Sequence, residues 1–247
     1  MCGRYAAAKD PAALAVEFEV LGDLPEPLAP NYNVAPTNPV HIVAIRGRDE
    51  ILERVLLVAR WGLVPSWAKD SSIGSTMINA RSETVAQKPS FRRAFAKRRC
   101  LVPADGYYEW YLPTEPGAPV GARGKPAKQP FFIAAKDGSS LAMAGLYEWW
   151  HDPKGQRDDP ASWRLTCTVI TTAASGELGR IHDRMPLIVA RGDWARWLDP
   201  ESSDAEDILT RGTEGADLQA YPVSTAVNSV RNNGPELITP IPTEPAP

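Results

Sequence analysis

Proline punctuates this chain from end to end. There are 24 prolines among 247 residues. Each fixes its own φ and removes a backbone donor, so the chain is expected to hold many loops and few long helices. Between the prolines lie short apolar runs. Residues 11–21 place Leu14, Phe18 and Leu21 at helical spacing, and the chain then breaks into a proline-rich loop over 23–30. The runs 40–45 and 51–60 read as a hairpin turning at Asp49-Glu50. Residues 90–99 read as a helix with Phe91 and Phe95 on one side. Strands are expected over 100–102, 106–111, 131–136, 141–149, 163–171 and 187–190, and short helices over 192–198 and 201–209. Two connections, 113–130 and 151–161, are long. Six or more strands without regular strand–helix alternation argue for an α+β fold, mainly antiparallel, rather than a doubly wound sheet. One domain over 1–240 is expected, followed by a disordered proline-rich tail over 241–247.

Apolar residues make up 43% and charged residues 23%, the balance of a soluble globular protein. No apolar run approaches the roughly 18 residues of a membrane span, and the first residues lack the layout of a secretory signal, so a cytoplasmic protein without membrane contact is expected. Three cysteines, Cys2, Cys100 and Cys167, form no paired spacing. Neither a disulfide framework nor a metal site is expected from them, and no cofactor is. The net charge of -3 gives no global pull towards nucleic acid. Arg92, Arg93, Lys97, Arg98 and Arg99 nevertheless fall in one short window, with Arg81 and Lys88 upstream, a local stripe able to grip phosphates.

The chemistry begins at Cys2. Removal of Met1 would leave an α-amine and a thiol on one residue, a 1,2-aminothiol. Such a group attacks an amide through sulfur, or captures an aldehyde: the amine forms an imine, the thiol adds to the same carbon, and a thiazolidine closes. An α-amine is about 10–20% neutral at pH 7, against about 0.04% for lysine. Of three histidines, His41 lies in an apolar strand and His151 in a hydrophilic loop, whereas His182 is flanked by Asp183 and arginines and is the candidate proton carrier. Glu109 and Glu148 both sit among aromatic neighbours, an environment that desolvates a carboxylate and raises its pKa. Asn79 and Arg81 follow an apolar pair and could bond a sugar or phosphate. The indoles of Trp61 and Trp67 could stack on unpaired bases or fill the core.

Seven segments together resemble one family, the SRAP domain proteins (SOS response-associated peptidase family), which act on abasic sites in single-stranded DNA. They are Met1-Cys2-Gly3-Arg4-Tyr5, Tyr32 to Thr37, Trp61 to Pro65, Ile78 to Thr84, Ala104 to Trp110, Ile181 to Pro186 and Pro222-Val223-Ser224. The resemblance implies a barrel-like twisted β-sheet core with flanking short helices. It implies a crosslink to abasic single-stranded DNA through a thiazolidine formed by Cys2 after loss of Met1, shielding the lesion, together with a cis-acting autopeptidase activity. Cys2, Asn79, Glu109 and His182 would be catalytic. Arg4, Arg81 and Arg184 would contact phosphates, and Trp67 would stack near the lesion. The chain is expected to act as a monomer. Loops 112–129 and 151–162 look longer than the family minimum.

Two other classes fit parts of the sequence. A class II glutamine amidotransferase also begins Met-Cys-Gly, but it needs an Asn-Gly pair for its oxyanion, and the only one here is Asn233-Gly234, far along the chain. A non-catalytic single-strand binding module would leave Cys2 idle.

Overall fold

The computed structural model describes residues 2–48, 51–113, 124, 126–213 and 216–242. Among the described residues, strands β1 (Tyr5–Ala7), β2 (Asn31–Val34), β3 (Pro39–Arg48), β4 (Ile51–Trp61), β5 (Asn79–Arg81), β6 (Arg99–Ala104), β7 (Gly106–Tyr111), β8 (Gln129–Ala135), β9 (Leu141–His151), β10 (Trp163–Ala173), β11 (Arg184–Pro186) and β12 (Leu218–Pro222) are accompanied by five short α-helices, without regular alternation. The helices are α1 (Pro11–Phe18), α2 (Arg92–Lys97), α3 (Gly176–Ile181), α4 (Trp194–Leu198) and α5 (Ala205–Arg211). The longest has eight residues. Among the described residues no helix is long and apolar enough to cross a membrane.

Two sheets carry the architecture. In the larger, β10 runs parallel to β4, β4 pairs with β3, β3 with β6, β6 with β9, and β9 returns antiparallel to β10, so five strands close into a barrel. Closure removes the free edges that an open sheet would expose. The short strands β5 and β11 add to β10 beyond the ring. The smaller sheet is antiparallel in the order β12-β8-β7-β1-β2. This is the α+β, mainly antiparallel fold with a barrel core and flanking short helices that the sequence implies.

Side-chain alternation sorts the core. Ile42 and Ala44 of β3, Ala59 and Trp61 of β4, Cys100 and Val102 of β6, Met143 of β9 and Cys167 and Val169 of β10 share one cluster with Cys2, Tyr5 and Tyr107. The intervening residues Val43, Leu56, Leu101, Ala144 and Ile170 pack instead with Phe18, Phe95, Trp194 and Trp197 of the helices. The helices therefore cover the outside of the barrel. The first cluster fills its interior and meets the smaller sheet.

Several local expectations change. Residues 187–190 form no strand: Leu187 and Val189 point into the helix-covered cluster, Ile188 makes a single bridge to Met143, and the strand sits earlier, at β11. His151 ends β9 rather than opening a loop. The basic stripe divides: Arg92 and Arg93 are exposed, as are Lys88 and Arg81 upstream, whereas its later members are engaged within the fold. Arg99 is buried and donates to the carbonyls of Trp197 at 2.6 Å, Phe95 at 2.7 Å and Asp199, while Arg98 pairs with Glu148 and Lys97 with Glu201. The turn at Asp49-Glu50, residues 114–123 and 125 of the long loop, and residues 243–247 of the expected tail lie outside the described residues.

One close approach fixes the loop after β4. Gly62 has φ +128°, and a Cβ there would stand 2.4 Å from the Gly74 carbonyl oxygen. Gly74 heads towards β5, so this contact sets Asn79 relative to the barrel. Gly62→Ala should cost about 1–3 kcal/mol of strain and lower the melting temperature by roughly 2–12 °C, at about 2–4 °C per kcal/mol for a domain of this size. Gly138→Ala, at φ +75° but with open space around it, should cost less. Equal losses in thermal unfolding would show that the contact with Gly74 contributes nothing.

Candidate active site

The amino-terminal segment is an interior strand of the smaller sheet. β1 lies between β2 and β7, with Tyr5 opposite both Val34 and Tyr107. The backbone before and after it is held as well: the N–H of Tyr108 donates to the Arg4 carbonyl at 3.0 Å, and that of Ala8 donates to the Asp105 carboxylate at 2.6 Å. Cys2 is consequently buried, inside the cluster that fills the barrel. Burial pushes its thiol pKa well up, and the nearby charge of Glu109 adds to that. In the surroundings of Cys2 the neutral thiol, not the thiolate, is the resting form.

Asn79 comes from β5. There Asn79 and Arg81 share one face while Ala80 packs behind them among the helix-covered residues. The Asn79 amide nitrogen donates to the Cys2 carbonyl oxygen at 2.7 Å, which fixes the backbone of the residue that carries the thiol.

Glu109 and Glu148 look alike in sequence and differ in the fold. On β7, Glu109 falls on the same face as Tyr107, towards the barrel interior, and is 4% exposed. Its pKa is raised to about 7 by burial, against the opposing charge of the amino terminus; Asp183 adds to the rise and Lys128 to the opposition. Glu148 lies on the outer face of β9, where the Arg98 guanidinium donates to it at 2.7 Å. It is a partner in an ion pair. Only Glu109 meets a histidine: its Oε2 lies 3.9 Å from Nε2 of His182.

His182 follows the last turn of α3, with its N–H donating to the Leu178 carbonyl at 3.1 Å. Its Nδ1 accepts from the Arg184 N–H at 3.0 Å and lies 2.9 Å from an Asp183 carboxylate oxygen. Burial lowers its pKa, as does the charge of the amino terminus, while Asp183 raises it. A neutral imidazole that accepts at Nδ1 holds its proton on Nε2, facing Glu109.

The arginines divide. Arg81 is exposed beside Thr171 on β10. Arg184 reaches the same residue from the other side, donating to the Thr171 carbonyl at 2.5 Å and forming a two-pronged pair with Glu83. Arg4 is half-buried: its guanidinium donates to the Asn33 side-chain oxygen at 2.7 Å and the Val227 carbonyl at 3.1 Å, and lies 6.0 Å from the Trp110 ring. Trp67 is 56% exposed and lines a groove with Ala68, Ile73 and Thr76, away from the polar cluster.

Sequence reasoning assigned nothing to Asn33, which is buried and holds three carbonyls of the late segment, those of Val227, Ser229 and Asn232, at 3.3, 2.9 and 2.9 Å. Its signal in the sequence was its place in the segment Tyr32 to Thr37, one of the seven on which the family resemblance rests. Among the described residues no group of three or more His, Cys, Asp or Glu side chains is placed to hold a metal ion. What the cluster offers is a thiol, a carboxyl raised to about 7 beside an imidazole whose pKa is lowered, and an amide holding the backbone of Cys2.

The model of the SOS response associated peptidase (SRAP) family matches residues 1–230. The chain is 39% identical over 241 residues to "Abasic site processing protein YoqW" of Bacillus subtilis (strain 168), covering 96% of this chain and 99% of that protein. It is 35% identical over 240 residues to "Abasic site processing protein HMCES" of Gallus gallus, covering 86% of this chain and 66% of that protein. A crystal structure of a protein from Bacteroides thetaiotaomicron superposes with a TM-score of 0.75 at 26% identity, covering 97% of this chain and all of that one.

The raised pKa of Glu109 has a consequence for stability. A carboxyl whose pKa rises from 4.5 to about 7 on folding contributes stability that is fully present below its unfolded pKa and is lost as pH rises through the folded one. Between pH 5 and 8 the loss is about 3 kcal/mol at most. Glu109→Gln should unfold in urea with a flatter pH dependence over that window; parallel curves for the two proteins would place the carboxyl in a solvated setting.

Proposed function

The chain belongs to the SOS response associated peptidase (SRAP) family, and on that footing we propose that it processes abasic sites in single-stranded DNA by forming a covalent thiazolidine through Cys2 once Met1 is removed. The observation that carries this reading is the placement of Cys2 beside a carboxyl with a pKa of about 7, with its own carbonyl held by Asn79 at 2.7 Å.

The order of events follows from the thiol. A buried thiol with a raised pKa is a poor initial nucleophile, which disfavours opening attack on an amide and so speaks for an aldehyde over a glutamine or peptide substrate. The α-amine acts first. Glu109 protonates the ring oxygen of the abasic sugar as the C1′–O bond breaks and takes back the proton of the anomeric hydroxyl, leaving the open aldehyde, and the neutral terminal amine adds to C1′. The carbinolamine hydroxyl then leaves as water with a proton from Glu109, giving the iminium and a Glu109 carboxylate. The thiol then adds to the same carbon, its proton passing to Glu109, and the five-membered ring closes. A thiol needs no ionisation in advance when its proton is taken as the C–S bond forms. His182 holds a proton on the Glu109 side and sets which of the two carboxyl forms is present.

Single-stranded DNA suits the surroundings. Its bases are free to stack on exposed indole, and its phosphates seek guanidinium. Trp67 offers the indole. Arg81 is the exposed phosphate contact, and Arg184 and Arg4 present N–H groups from guanidiniums already braced by Glu83 and Asn33.

The test is adduct formation. Protein shown by mass spectrometry to start at Cys2 should give a denaturation-resistant product with abasic single-stranded DNA. Cys2→Ala should give none while keeping its DNA affinity, and Glu109→Gln should form the product on the order of 100-fold more slowly. No product from the wild-type protein would overturn the reading, and a heat-stable product from Cys2→Ala would move the attachment point elsewhere.

A further inference from the structure

The proposed reaction leaves a proton to be removed. An α-amine is about 80–90% ammonium at pH 7. From that form the balance is ammonium, thiol and aldehyde going to thiazolidine, one water and one H⁺. The C1′–N and C1′–S bonds form, and the aldehyde oxygen leaves as water. Glu109 is the acceptor at hand, yet it is 4% exposed, and bound DNA would cover it further.

Three groups lead outwards from it in order of exposure. The Glu109 side chain is 5% exposed, that of His182 29% and that of Asp183 86%. Glu109 Oε2 is 3.9 Å from His182 Nε2, and His182 Nδ1 is 2.9 Å from Asp183 Oδ1. The first gap exceeds hydrogen-bond length by about 1 Å, a span that catalytic pairs commonly close when substrate binds. The second is a hydrogen bond as it stands.

Nδ1 also has two partners that require opposite protonation states. The Arg184 N–H, at 3.0 Å, needs a lone pair there. The Asp183 carboxylate needs a proton there. The ring is thus provided for in both tautomers: with hydrogen on Nε2 it accepts from Arg184 and can give a proton to Glu109, and with hydrogen on Nδ1 it donates to Asp183 and can take a proton from Glu109.

The geometry points to Asp183 as the solvent end of a proton path from Glu109 through His182, a positioning residue that lets the covered site exchange protons with water. The inference rests on the proposed adduct chemistry. In the outward step, Glu109 gives its proton to Nε2, Nδ1 gives its own to the Asp183 carboxylate, and Asp183 releases it to water. No charge is left on the ring. The groups facing His182 are Glu109 from β7, Lys128 ahead of β8, the amino terminus, and Asp183 and Arg184 on either side; of these, Asp183 favours the protonated ring, while Lys128 and the terminus oppose it.

Asp183→Asn and Asp183→Ala, each processed to Cys2, provide the test against abasic single-stranded DNA. Adduct formation in a single turnover should slow on the order of tenfold, with unchanged melting temperature and unchanged affinity for intact single-stranded DNA. Added formate should restore the rate of Asp183→Ala in proportion to its concentration. NMR titration of the His182 ring in the free protein, which needs no DNA, should show a lower pKa in Asp183→Asn. Wild-type rates in both variants, or a slower rate that formate does not restore and that follows weaker DNA binding, would overturn the path. An unshifted His182 titration would overturn it as well. Absence of adduct from the wild-type protein would instead fail the underlying reading, leaving the titration to judge the Asp183–His182 contact alone.

Discussion

The fold depends on a three-residue strand at the beginning of the chain being an interior strand, not an edge. β1 has neighbours on both sides, so its short backbone is satisfied twice over, by β2 and by β7. A terminus held by ladder hydrogen bonds does not fray. Everything of chemical interest is positioned from it: Cys2 precedes it, Glu109 lies on the neighbouring β7, and Arg4 leaves it to meet Asn33 on β2's sequence and Val227 in the late segment. The Asn33 side chain gathers three further carbonyls there. Two ends of the sequence are thereby joined through one buried amide and one guanidinium. Loss of either partner would strand buried polar groups, and such losses typically cost about 1–3 kcal/mol.

The same burial acts on two acids with useful results. It raises the thiol of Cys2 and the carboxyl of Glu109 together, because both exchange a charged form for a neutral one on leaving water. For the carboxyl the rise ends near neutrality, where a group donates and accepts with equal ease. For the thiol it ends far above, where the neutral form persists, as the proposed order of amine before sulfur requires. A site opening with sulfur would need the opposite arrangement, a nearby cation to hold a thiolate.

Much of the barrel was legible because its strands alternate over many residues. The pairing of β3 with β4 and the extents of β9 and β10, and of β7 in the smaller sheet, follow from β-branched and aromatic runs bounded by turns. Three-residue strands carry no such period, so β1, β5 and β11 were invisible to it, and these are the strands that bear or adjoin Cys2, Asn79 and His182. Residues 187–190 show the converse error: an apolar run looked like a strand, but its residues are buried by α4 and by β9 without a ladder. Charge was misleading for a similar reason. Arg98 and Arg99 lie in a basic window, and what they face, Glu148 and the carbonyls at the end of α4, is distant in sequence. The family's segments, being spread along the whole chain, pointed to the cluster that local patterns missed. Asp183 was visible as a neighbour of His182, while the opposing Arg184 N–H that gives it meaning required coordinates.

The closure of the first strand by the last segment has a bearing on time. Residues 2–7 leave the ribosome some 220 positions ahead of Val227, whose carbonyl receives Arg4; at 5–20 residues per second that is on the order of ten to forty seconds. During synthesis the beginning of the chain therefore has no completed place to fold into. The removal of Met1 that the proposed chemistry requires would find Cys2 uncovered in that interval, whereas in the folded chain Cys2 is buried.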